Sequence, residues 1–76
     1  MDYDDVFNKI LYDAYKSYLN DITLYRCQIP WDSNQSLYNK AINSLVQNGL
    51  IIVKARTIRF VNIVLTPYGI SCASEL

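Results

Sequence analysis

The chain has 76 residues, with seven Lys and Arg balanced by seven Asp and Glu, no histidine, two cysteines and two glycines. Without histidine, neither a Ser-His-Asp nor a Cys-His nucleophile forms within one chain, and tetrahedral zinc would need carboxylates or a second copy. Two glycines exclude a glycine-rich phosphate loop, and no apolar run approaches the roughly 18 residues of a membrane span. The expectation is one small domain that is not an enzyme, holds no cofactor or metal and does not enter a membrane. The acidic start, Met1 to Asp5, is unlike a basic-then-apolar secretory signal, so the expected location is cytoplasmic, with reduced thiols.

Asp4 or Asp5 is a candidate cap for a first helix over residues 4–19. Phe7, Ile10, Leu11, Ala14, Tyr15, Tyr18 and Leu19 follow one helical stripe, and Asn20-Asp21 stops it. Residues 22–29 fit either a helix or a short strand, and Pro30 ends whichever forms. Asp32, Ser33 or Asn34 then caps a second helix over 34–48, whose apolar face is Leu37, Tyr38, Ala41, Ile42, Leu45 and Val46. Gly49 supplies its left-handed stop. Two strands over 50–66 follow, with Ile51 and Val53 on one parity and Val61, Ile63 and Leu65 on another. Lys54, Arg56, Thr57 and Arg59 fall at the hairpin tip. Thr66-Pro67 reads as a cap and first turn, opening a last helix over 67–76.

This order, with two local strings, resembles the winged helix-turn-helix superfamily, MarR-like and related small regulators among them. Residues 36–51, SLYNKAINSLVQNGLI, look like that family's recognition helix running through Gly-Leu into the wing. Val64-Leu65-Thr66-Pro67-Tyr68-Gly69 is similar to the Leu-Thr-x-x-Gly string that closes the second wing strand. The resemblance implies an α+β domain of three or four helices with a two-stranded antiparallel wing, binding double-stranded DNA as a homodimeric transcription regulator. The lengthened turn at residues 30–34 departs from the usual short connection before the recognition helix.

Under that reading Ser36, Asn39, Lys40 and Asn43 enter the major groove. Asn can pair bidentately with adenine, while Ser and Lys hold phosphates or base edges. Lys54, Arg56 and Arg59 hold flanking phosphates or the minor groove, and Arg26 adds a phosphate contact. The charge supports it when divided by position: residues 1–21 sum to −3 and residues 22–76 to +3. Plain alternatives stand beside each point, since every amphipathic helix has a polar face and strand edges carry Lys and Arg against aggregation. The seven tyrosines open a second function, a protein-interaction module such as a small phage or mobile-element inhibitor. A contiguous patch of Tyr3, Tyr12, Trp31 and Tyr68 would favour it. For Trp31 alone the weightier expectation is a core plug. Cys27 and Cys72 read as buried small hydrophobes.

Overall fold

The computed structural model describes residues 1–76. Helix α1 (Tyr3–Leu19) leads into strand β1 (Tyr25–Gln28), helix α2 (Gln35–Gln47), strands β2 (Ile51–Arg56) and β3 (Phe60–Leu65), and helix α3 (Pro67–Ala73). It is an α+β domain with three helices and one antiparallel sheet of three strands in the order β1-β3-β2.

α1 begins one residue earlier than its apolar stripe suggests because the cap is Asp2. The Asp2 carboxylate accepts from the Asp5 N–H at 2.9 Å while the Asp5 carboxylate reaches back to the Asp2 N–H. This reciprocal box satisfies two of the amides that a helix start leaves unpaired. The other end closes with the Ile22 N–H on the Ser17 carbonyl and the Asp21 N–H on the Tyr18 carbonyl. That pattern needs a left-handed residue, and Asp21 provides it at φ 63°. α2 ends the same way, with Leu50 N–H on Leu45 O, Gly49 N–H on Val46 O, and Gly49 at φ 71°. Its start is weaker. Asn34 makes no side-chain cap, and the Asp32 carboxylate instead accepts from the Asn34 N–H.

Residues 25–28 resolve as a strand. Left-handed Asp21 on one side and Pro30 on the other leave too few residues for a stable helix, whereas β3 offers a free edge. β1 takes it, pairing Tyr25 with Ile63 and Cys27 with Val61. The two-stranded hairpin expectation is therefore corrected to a three-stranded sheet. The final helix is also shorter than expected, ending at Ala73.

One face of the sheet meets the helices. Val6, Ile10, Leu11 and Ala14 of α1 pack with Ala41, Ile42 and Leu45 of α2 over Cys27, Ile51, Val61, Ile63 and Leu65. Val6 belongs to this core, while Leu19, placed on the α1 stripe, is the last residue of that helix and stands 61% exposed. Cys27 is buried as expected and Cys72 only half so.

The two strings that carried the family resemblance touch each other. The Thr66 hydroxyl donates to the Gly49 carbonyl and accepts from the Gly69 N–H, and the Thr66 N–H donates to the Leu50 carbonyl. Thr66 thus caps α3 and clamps it to the turn that ends α2. Gly69 lies against the Leu50 backbone, where a Cβ would come within 2.9 Å of the Leu50 carbonyl carbon.

Candidate nucleic-acid interface

The register places the proposed contact residues. Partners across antiparallel strands share a face, and Val53 pairs with Ile63 on the inner side. Lys54 is then a bulge, because the next pairs are Ala55 with Asn62 and Arg56 with Val61. The extra residue reverses the parity. Ala55 faces outward with Asn62, and Arg56 faces the helix side with Val61.

That reversal has a chemical consequence. The Arg56 guanidinium reaches α2, donating through Nη1 to Asn43 Oδ1 at 2.9 Å and through Nη2 to Asn39 Oδ1 at 3.0 Å. One planar fork holds two amides four residues apart on one helix face. Both Asn oxygens face the guanidinium, so both amide NH2 groups are left as donors, and each oxygen keeps a second lone pair. Ser36 and Lys40 lie exposed on the same helix. Ser36, Asn39, Lys40, Asn43 and Arg56 therefore belong to one α2–β2 surface, with exposed Lys54 at the bulge.

Arg26 and Arg59 are not gathered with them. Arg26 is on β1, the edge of the sheet opposite β2. It pairs with Asn62 on the outer face, donating to Asn62 Oδ1 at 3.3 Å and lying 4.1 Å from the Phe60 ring centroid. Arg59 lies in the β2–β3 turn, 5.6 Å from the Trp31 ring centroid. Trp31 is 65% exposed, which corrects the expectation of a core plug. Buried Ile29 fills the last inward position of that segment. After it, Pro30 and the Asp32–Asn34 turn carry the chain along the surface.

The cations divide sharply by partner. Lys9 and Lys16 both face Asp13, at 2.7 and 3.9 Å, and these are the only ion pairs. Arg26, Lys40, Lys54, Arg56 and Arg59 have no carboxylate partner. Sequence reasoning found these five but missed Phe60 and the exposed setting of Trp31. Adjacent Arg59 and Phe60 were a signal, though only β1 pairing shows what each would meet.

The other aromatic candidates are dispersed. Tyr3 packs on Phe7 with centroids 6.0 Å apart, Tyr12 lies under Lys16 at 5.2 Å, and exposed Tyr68 begins α3. A cleft of about 380 Å³ between α1, β1 and α2 is lined by Lys9, Asp13, Tyr25, Cys27 and Tyr38 among others. Burial pushes the Cys27 thiol up to about 11 and raises the Tyr25 phenol too, while the hydrogen bond to Asp13 raises Lys9. At neutral pH Cys27 and Tyr25 therefore stay protonated and Lys9 stays charged, so none of the three is activated as a nucleophile or base. No group of three or more His, Cys, Asp or Glu side chains could hold a metal ion, and no helix is long and apolar enough to cross a membrane. Comparison of the chain with known protein families, curated proteins and solved structures returns no match.

Proposed function

We propose that this chain is a winged-helix DNA-binding domain of a transcription regulator, acting in the cytoplasm as a homodimer on double-stranded DNA. The observation that carries the reading is the Arg56 fork across Asn39 and Asn43, in a surface whose cations have no carboxylate partner. The fork fixes two amides before any ligand arrives, so less side-chain freedom is lost on binding. α2 is the reading helix, with Ser36, Asn39, Lys40 and Asn43 toward the major groove. The β2–β3 hairpin is the wing, with Lys54 and Arg56 toward phosphates. Here α1 is the helix that α2 packs against, since the residues 30–34 turn supplies none. Few cations per copy limit the affinity of one domain, and a dimer spaces two reading helices about 34 Å apart on successive grooves.

The test is fluorescence anisotropy on labelled duplexes at low salt. Binding at or below about 10 µM is expected even without a cognate site. Arg56→Ala, which frees both amides, is expected to weaken binding at least about fivefold, by the 1 to 3 kcal/mol typical of a charged hydrogen-bonding group. No duplex binding would overturn the reading. A protein-interaction module is the second reading: Tyr12, Trp31 and Tyr68 are exposed, but they are dispersed and do not form the contiguous patch that would favour it.

A further inference from the structure

Trp31 is the only tryptophan in the chain and stands 65% exposed in a polar turn. The backbone on either side of the cleft beside it is nonetheless tied down. The Ile29 N–H donates to the Arg59 carbonyl at 2.8 Å, tying the start of the Trp31 turn to the hairpin tip. Thr57 Oγ1 accepts from the Arg59 and Phe60 N–H groups, holding the tip itself. Between them lies an open cleft of about 240 Å³, lined by Gln28, Ile29, Trp31 and Arg59. It offers an indole face, an apolar wall, an amide that both donates and accepts, and a cation without a carboxylate partner. The adjacent acid, Asp32, turns Oδ1 toward the Asn34 N–H.

A ligand that satisfies all four groups is flat, has a polar edge and carries negative charge next to its ring. We propose that this cleft seats an unpaired nucleotide of single-stranded DNA, with the base stacked on Trp31 and its phosphate on Arg59. Gln28 meets the base edge, where an amide accepts any base in one orientation or the other. Arg59 covers at most one face of the indole, and the exposed remainder is open for stacking. Phe60, which begins β3, is half-buried under Arg26 at 4.1 Å, and that guanidinium, without a carboxylate partner, gives the next phosphate a place. Bases inside a duplex keep their faces stacked and cannot use the site without being extruded. It therefore selects single strands, overhangs or frayed ends, and it is separate from the α2 surface of the duplex reading.

The single tryptophan makes the test direct. The full chain is titrated with an oligothymidine of about eight nucleotides at about 50 mM salt, following indole fluorescence. Saturable quenching in the micromolar range is expected, with a blunt duplex of equal phosphate content quenching much less. Trp31→Ala, read by anisotropy of labelled oligothymidine, is expected to lose about tenfold in affinity, with Trp31→Phe retaining most of it. Asn39→Ala with Asn43→Ala is expected to leave oligothymidine binding unchanged, so loss of the duplex reading and loss of this one are distinguishable. No quenching up to about 100 µM, equal quenching by blunt duplex, or full affinity in Trp31→Ala would each overturn the proposal. So would a fluorescence change produced by raising the protein concentration alone, which would assign the indole to a contact between copies.

Discussion

Gly69 shows how much a single residue can determine. It lies inside α3, where alanine ordinarily favours a helix by about 0.5–1 kcal/mol over glycine. Here the added Cβ would meet the carbonyl group of Leu50, a backbone acceptor already engaged by the Thr66 N–H. Neither partner can yield without opening the Thr66 clamp. Gly69→Ala is therefore expected to destabilise the protein by about 1–3 kcal/mol, the usual cost of overpacking, as a lower urea midpoint at unchanged slope. A stabilised variant would show that the helix ending can shift away from the turn after α2. Glycine and threonine were legible here as a string of residues. That they face Gly49 and Leu50 was not, because the contact spans the whole hairpin.

Among the elements, the bulge in β2 decides which residues meet. A regular strand would alternate through Val53, Lys54, Ala55 and Arg56, placing Arg56 on the outer face with Ile52. One unpaired residue at Lys54 turns Arg56 toward α2 instead. A double-mutant cycle between Arg56→Ala and Asn39→Ala is expected to give a coupling of about 0.5–1.5 kcal/mol in stability. Inserting one alanine between Ala55 and Arg56 moves Arg56 one position along β3, onto the outer face, and is expected to abolish that coupling while circular dichroism still reports the folded sheet. Persistent coupling in the insertion variant would mean that Arg56 reaches the helix whatever its register in β2. Arg56, Asn39 and Asn43 were each legible as polar surface residues, but their association was not, since no sequence signal marks an unpaired residue in a strand.

For the molecule as a whole, zero net charge conceals a division. The first 21 residues carry −3 and the remainder +3, and the ion pairs follow the same line, with both lysines of α1 held by Asp13. The unpaired cations then fall into two groups, one at α2 and β2 and one at the outer face and hairpin tip. If Lys40, Lys54 and Arg56 meet phosphates, the logarithm of duplex affinity should fall with that of salt at a slope of about −2.7 per protomer. A dimer should show about twice that slope. A slope near zero would argue that duplex phosphates play no part and would sink the proposed DNA face.

The sequence alone determined the helix α1, the reading-helix candidate α2, the hairpin, the Thr66-Pro67 start of α3 and the left-handed Gly49. These depend on local periodicity and on residues whose own backbone preferences mark an end. The inward parity of Val61, Ile63 and Leu65 was determined in the same way. Tertiary structure decided the rest. Residues 25–28 became a strand because β3 had an edge to offer, and Trp31 stayed outside because Ile29 already filled the inward position. Arg56 joined α2 while Arg26 and Arg59 went to aromatic partners, because strand order and one bulge set which side chains share a face. Periodicity reports a residue's own element; only packing selects its neighbours.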